Sequence, residues 1–275
     1  MRLVGAAIRI WQKAPLRWRQ AFVASPMAPF LRRMFKRAYA EELQVFELTA
    51  PLEGNRMRLH WQTQKAFVFG TFEPDVAHTI QEYVRPGWHV LDIGAHIGYH
   101  TLLLSRKVGK EGRVIAFEPW PENFRVLAEN VRLNGCGNVA LVNKAVLAHT
   151  GRVHFGKDNE DPLSSVPSVR SEGVEVECVS FDDFRKESLP GGPVHFIKID
   201  AEGAELAILE GMRNFLKEAS PLLLVELHGF GKLGEAHPAL CFLREAGFLV
   251  DYVGTPGEQA HILAHRSTES PEPRR

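Results

Sequence analysis

VLDIGAHIGYHT, residues Val90 to Thr101, begins as a short apolar run and closes as the start of a helix. Val90, Leu91 and Ile93 suit a parallel strand buried on both faces. Asp92 stands near the end of that run. Gly94 and Gly98 follow, and a helical pattern takes over. A strand, a tight glycine turn and a helix N-terminus together form a site for a nucleotide-like ligand. The helix start offers backbone N–H groups, and glycine lets a ligand approach the main chain. The dinucleotide fingerprint G-x-G-x-x-G requires glycine where this chain has His96. Here the pattern is D-x-G-x-x-x-G, with an acid ahead of the first glycine. Two anions repel, so Asp92 disfavours a pyrophosphate. It suits a cationic ligand with an amino-acid head, such as S-adenosylmethionine.

The strand–helix alternation continues from this corner. A helix led by Leu102, Leu103 and Leu104 ends near Gly109. Val114 to Phe117 form a second strand, ended by Glu118. An acid at that strand end can bind both hydroxyls of a ribose. Pro121 and Asn123 open a helix with Phe124, Leu127 and Val131 on its apolar face, and Asn134-Gly135 ends it. Val139 to Val142 make a third strand, after which Asn143 is placed to approach an adenine edge. Val194 to Ile199 resume the sheet. Asp200, Ala201, Glu202 and Gly203 come next, then a helix with Leu206, Leu209 and Met212 on one face. Pro221 starts a fifth strand, LLLVEL, ending at Glu226, Leu227 and His228. Residues 239–247 read as a helix, and Phe248–Val253 and Ala260–His265 as a closing antiparallel pair.

This pattern predicts an α/β fold: a doubly wound, mostly parallel, seven-stranded sheet. Ligands in such sheets bind at the carboxyl ends of the strands. Asp92, Glu118, Asp200, Glu202, Glu226 and His228 all fall at such ends. Two segments interrupt the alternation. Gly151–Phe155 and Val174–Val179 read as an inserted β-hairpin. The polar stretch 157–172 between them, with Ser164, Ser165 and Ser168, reads as a mobile loop, either a lid or substrate reader or a plain surface excursion.

Ahead of the sheet, VFEL (45–48), MRLHW (57–61) and AFVFGTF (66–72) read as three short strands, before a helix opened by Glu73-Pro74 and stopped by Pro86-Gly87. The expected domains are thus a basic and aromatic extension over 1–44, a small strand-rich lead-in and helix over 45–85, the main domain over 86–265 and a polar tail over 266–275. Residues 1–40 carry nine Lys or Arg and no Asp or Glu, interleaved with Trp11, Trp18, Phe22, Phe30 and Phe35. Such a segment fits packing onto its own domain or a second subunit, as in a homo-oligomer. It also fits peripheral contact with an anionic membrane surface.

Composition narrows the function classes. The 275 residues are 45% hydrophobic with zero formal net charge. That is ample for a core and gives no case for nucleic acid. Cys136, Cys178 and Cys241 are widely spaced and odd in number, which favours free thiols and a reducing, cytoplasmic setting. No apolar run approaches the length that spans a bilayer.

The pieces together resemble the FkbM-type methyltransferases, class I enzymes with a Rossmann-like fold that use S-adenosylmethionine. The matching segments are FEP at 72–74, VLDIGAHIGYHT at 90–101, VIAFEPWPENF at 114–124, FIKIDAEGAELAILEG at 196–211 and LLVELH at 223–228. The resemblance covers roughly residues 69 to 250. The chain departs from the family at His96, where asparagine is usual, and the basic arm lies outside the pattern. The resemblance implies O-methylation of a hydroxyl on a sugar, glycan or other small natural product. It implies that Glu73, Asp92, Gly94, Ala95, His96, Gly98, Glu118, Pro119, Asn143 and Asp200 bind the cofactor, with Glu118 on the ribose. Asp200 and Glu202 then sit beside the reactive methyl, and Asp200, Glu202 and His228 are the catalytic candidates. The Asp200–Glu202 pair would also suit Mg²⁺, but too few other ligands are identifiable, and no metal is assigned. Two alternatives stand: a catalytically silent cofactor-binding or membrane-tethered partner in glycan assembly, and an NAD-linked oxidoreductase. The absent glycine at position 96 weighs against the latter.

Overall fold

The computed structural model describes residues 43–156, 168–170, 173–189 and 192–266. The expected extension over 1–44 and the polar tail lie almost wholly outside these. The chain divides into two compact units, the boundary falling between Phe72 and Glu73.

In the first unit, β1 (Gln44–Glu47) and β2 (Arg56–Leu59) pair as an antiparallel hairpin. The third expected strand is a helix, α1 (Trp61–Phe69). The aromatic run AFVF misleads because strand preference is weak where a helix cap competes. Gly70 adopts a left-handed conformation, its N–H bonds to the Phe67 carbonyl, and Thr71 N–H bonds to that of Ala66. That pair of bonds is a helix terminator built on glycine.

The second unit contains the expected sheet. In chain order its strands are β3 (His89–Ile93), β4 (Arg113–Phe117), β5 (Val139–Val142), β10 (Phe196–Ile199), β11 (Leu222–Leu227), β12 (Leu249–Val253) and β13 (Ala260–His265). Their spatial order is β12-β13-β11-β10-β3-β4-β5. The first five named run parallel to one another, and β13 is antiparallel to both β11 and β12. The order reverses between β3 and β10, and in open sheets of this kind ligands bind at the carboxyl ends of the strands where the order reverses. Helices α2 (Pro74–Tyr83), α3 (Tyr99–Val108), α4 (Pro121–Leu133), α6 (Glu205–Gly211), α7 (Arg213–Glu218) and α9 (Pro238–Glu245) cross between strands or lead into them. A four-residue helix, α8 (Phe230–Leu233), follows β11.

Alternation along the strands sorts two faces. Ile93, Ile115, Phe117, Ile197, Ile199, Val225, Leu227 and Ile262 belong to one core cluster, with Leu209, Leu216 and Leu240 from the helices. The opposite face carries Asp92, Lys198 and Glu226, all buried. Register decides which of these meet. Lys198 lies opposite Asp92 across β10–β3, and Glu226 lies opposite His261 across β11–β13.

The inserted hairpin is present as β7 (Gly151–Gly156) against β9 (Val174–Val179). It belongs to a larger four-stranded sheet, ordered β6-β9-β7-β8, with β6 (Ala145–Val146) and β8 (Ser168–Arg170). The loop expected over 157–172 is therefore corrected at 168–170, which form a strand paired with β7. The rest of it lies outside the described residues. The helix at Phe181–Ser188 escaped the sequence reading, as did the short α8. In α5 (Phe181–Ser188) the Ser180 side chain accepts the N–H of Asp183 as an N-cap.

Candidate active site

Gly94 follows β3 directly. Its N–H and that of Ala95 both donate to the Phe117 carbonyl at the end of β4. With φ +81°, Gly94 also lies so close to β10 that a Cβ would stand 1.7 Å from the Asp200 carbonyl oxygen. Only glycine satisfies both constraints. Gly98 is the N-cap of α3 and has no side chain to satisfy the first-turn N–H groups. His96, between them, is left-handed at φ 50°. Asparagine and histidine both tolerate that region better than most residues, which accounts for the exchange at this position.

Glu118 is buried beside this turn. Its Oε2 accepts the His96 N–H at 2.8 Å, and its Oε1 accepts the Trp120 N–H at 2.9 Å. Burial raises its pKa to about 8 against the pull of these amides. Asn143 Nδ2 donates to the carbonyls of Glu118 and Pro119, so its side chain pins the turn after β4.

Asp92 has no exposed surface. Its Oδ2 accepts from the Thr101 hydroxyl at 2.6 Å, and its Oδ1 lies 3.7 Å from Lys198 Nζ. Burial raises its pKa against the effect of Lys198. Asp92 thus underlies the glycine turn and ties β3 to α3 and β10. Lys198 Nζ donates to Asp200 Oδ2 at 3.1 Å. Burial works against the ammonium, yet Asp200, Asp92 and Glu73 hold its pKa above the ordinary lysine value. Burial likewise opposes the charge of Asp200, but Lys198 prevails and lowers its pKa to about 2.

His228, just past β11, is gripped from both sides. Its Nδ1 lies 2.7 Å from Glu205 Oε1, and its Nε2 lies 3.3 Å from Glu202 Oε2 and 3.7 Å from Glu226 Oε1. Burial opposes its charge, but Glu202 and Glu205 outweigh that and raise its pKa to about 11. Glu205 also accepts the Gly203 N–H at 2.9 Å. Glu73 caps α2, with Oε2 3.7 Å from His100 Nε2. Burial, then Asp200 nearby, raises its pKa to about 7. Burial and Lys198 push His100 well below the ordinary histidine value.

The sequence candidates therefore gather in two neighbourhoods. Glu118, His96, Pro119 and Asn143 surround the glycine turn. Glu73, Asp200, Glu202, Glu226 and His228 lie close together beyond the end of β10. Among the described residues, Glu73, His96 and Glu202 are the non-glycine residues with positive φ. All three belong to these groups, and unusual backbone concentrates at functional sites. Lys198, Thr101, Glu205 and His261 were not singled out from sequence. Lys198 had a signal, a lone cation within a buried apolar run.

Residues 92–250, more than half of the chain, match the model of the methyltransferase FkbM domain. The chain belongs to the FkbM methyltransferase family. One relative of this FkbM chain is a hexuronic acid methyltransferase from Haloferax volcanii, 29% identical over 157 residues. That match covers 57% of this chain and 62% of the relative, so the chain spans less than two thirds of that protein. Methyltransferase 1 of Beauveria bassiana is 26% identical over 182 residues, covering 58% of this chain and 72% of the relative. Among solved structures, methyltransferase FkbM from Methylobacillus flagellatus KT is 17% identical. It covers 86% of this chain and 60% of that one, with a TM-score of 0.46.

Family membership implies S-adenosylmethionine as cofactor, and the donor set at the glycine turn fits it. Glu118 presents a carboxylate at the end of β4, which suits a vicinal diol. Asp92 and Asp200 both pair with Lys198, and two carboxylates to one ammonium make a donor set that disfavours a pyrophosphate. Among the described residues no helix is long and apolar enough to cross a membrane.

Proposed function

We propose that this FkbM chain transfers a methyl group from S-adenosylmethionine to a hydroxyl oxygen of a sugar, glycan or related small molecule. One observation carries the reading: a buried carboxylate, Glu118, fixed by the two amides of His96 and Trp120 beside the glycine turn. The hexuronic acid named for the Haloferax relative supports a sugar acceptor.

The cofactor supplies an electrophilic methyl on a sulfonium. The chain's residues bind, orient and handle the proton. Glu118 holds the ribose hydroxyls, and Asn143 and Pro119 keep its turn in place. Asp92 is a positioning residue that acts through Thr101 and Lys198. Asp200, ionised and anchored by Lys198, accepts a hydrogen bond from the attacking hydroxyl and aligns its lone pair. With a pKa of about 2, Asp200 is too weak to ionise a free alcohol. It suffices for the oxygen once the new C–O bond is forming, because that oxygen becomes strongly acidic. His228 holds its proton between Glu202 and Glu205 and keeps that end of the sheet rigid rather than serving as base.

The test is isothermal titration of the purified chain with S-adenosylmethionine and with NAD, followed by labelled-methyl transfer over a panel of sugar hydroxyls. Cofactor binding with transfer supports the proposal. Binding without transfer to any acceptor supports the silent alternative, and preference for NAD removes both.

A further inference from the structure

We propose that Glu73, Glu226 and His261 hold a divalent transition-metal ion at the carboxyl end of the sheet. The proposal rests on the reading of this region as the acceptor's place.

The three residues are far apart in sequence and are brought together by three different elements. Glu226 and His261 are a cross-strand pair of β11 and β13. Glu73 is the N-cap of α2, held left-handed at φ 40°. Their ligand atoms all lie within 4.8 Å of one another. Metal bonds of about 2.0–2.2 Å to imidazole and carboxylate would close that span with modest side-chain movement.

Two of the three have a buried polar atom with no hydrogen bond. Glu73 Oε2 and His261 Nε2 are both inaccessible to solvent and without a hydrogen-bond partner. Each has an ionic neighbour: His100 Nε2 lies 3.7 Å from Glu73 Oε2, and Glu226 Oε2, itself one of the three, lies 3.5 Å from His261 Nε2. Buried polar atoms are almost always satisfied, and an ion is one of the few explanations when they are not. A second group, Asp200, Glu226 and His228, has similar spacing. There Lys198 already occupies Asp200, and Glu202 and Glu205 occupy His228. The unsatisfied atoms therefore select the first group.

One imidazole and two carboxylates suit Mn²⁺, Fe²⁺ or Zn²⁺ better than Mg²⁺, which avoids nitrogen. Three protein ligands leave open positions, where a hydroxyl oxygen of the acceptor can coordinate. Coordination makes that hydroxyl more acidic. It gives its proton to water, its oxygen bonds the methyl carbon, and the sulfur keeps the electron pair of the broken S–C bond. Glu73 is then a ligand of the ion rather than of the cofactor.

The test uses the full chain after chelator treatment, titrated with Mn²⁺ while the free-ion EPR signal is followed. One saturable site is expected. Glu226→Gln and His261→Gln should each weaken it at least tenfold, and Glu73→Gln serves if either variant fails to fold. Separate titration of the Glu226 and His261 variants with S-adenosylmethionine should give an affinity within about twofold of the unsubstituted chain. Absence of a saturable site, or a site that survives loss of His261, overturns the proposal. Failure of the unsubstituted chain to bind S-adenosylmethionine would instead strike the methyltransferase reading, whatever the Mn²⁺ signal shows.

Discussion

Glu118→Gln keeps the shape of the side chain and removes its charge. In the unsubstituted chain each carboxylate oxygen accepts one backbone N–H, at 2.8 and 2.9 Å, and keeps a lone pair for a ribose hydroxyl. Glutamine retains one acceptor, and its amide group faces a backbone N–H, donor against donor. Loss of one charge-assisted hydrogen bond corresponds to about 1.5–3 kcal/mol. That is about a 10- to 150-fold weaker dissociation constant for S-adenosylmethionine. Isothermal titration reads it directly. The same titration carries a second signature. Burial raises Glu118 to about 8, so at pH 7 the free protein largely holds that proton. Hydroxyl donors favour the carboxylate, so cofactor binding should release up to about one proton, seen by comparing buffers of different ionisation heat. Glu118→Gln should release none from this position. An unchanged affinity in a variant that melts normally would refute the ribose assignment and the reasoning behind it.

Further outcomes follow from the same geometry. Because the folded pKa of Glu118 exceeds its ordinary 4.5, the folded state binds more protons between about pH 4.5 and 8. Its contribution to stability therefore falls as pH rises through that window, and denaturant midpoints of Glu118→Gln should show a flatter slope there. Lys198→Met leaves Asp92 and Asp200 buried without their cation and should destabilise the fold by about 3–5 kcal/mol in urea unfolding; a loss under 1 kcal/mol would show the ion pairs to be incidental. Asp200→Asn should lower turnover by about 100-fold or more while cofactor affinity changes little, and equal activity would clear Asp200 of a role in proton handling. Gly94→Ala places a Cβ 1.7 Å from the Asp200 carbonyl oxygen and should abolish soluble, cooperatively melting protein; normal melting would contradict the close approach of β3 and β10.

Much of the central sheet was legible because its strands are continuous apolar runs separated by glycine, proline and helix signals. The segments near 90, 115, 141, 196 and 224 each correspond to a strand, and the closing pair is antiparallel as expected. Legibility failed where the signal was short or hidden. The helix at Trp61–Phe69 is rich in residues that favour strands, and only the left-handed Gly70 marks its end. The cap at Ser180 was present as Ser-x-x-Asp but stood outside the alternating pattern. Strand Ser168–Arg170 has three residues, too few for alternation to show.

Proximity within the site was harder to read than residue type. The acids at strand ends were visible as such. Their partners depend on register. Lys198 meets Asp92 because β10 and β3 align at those positions, and His261 meets Glu226 because β13 returns antiparallel along β11. Neither match is encoded in local spacing. Asp92, expected to line the cofactor, is a fully buried carboxylate bonded to Thr101, a partner that local spacing did not announce.

The most direct test of the account is the chemical nature of the methylated product. The chain, incubated with methyl-labelled S-adenosylmethionine and a sugar or uronic acid glycoside, should yield label in an ether, stable to mild alkali and attached to a ring hydroxyl by NMR. Label released by alkali as a carboxyl ester, or no transfer to any glycoside, would contradict it.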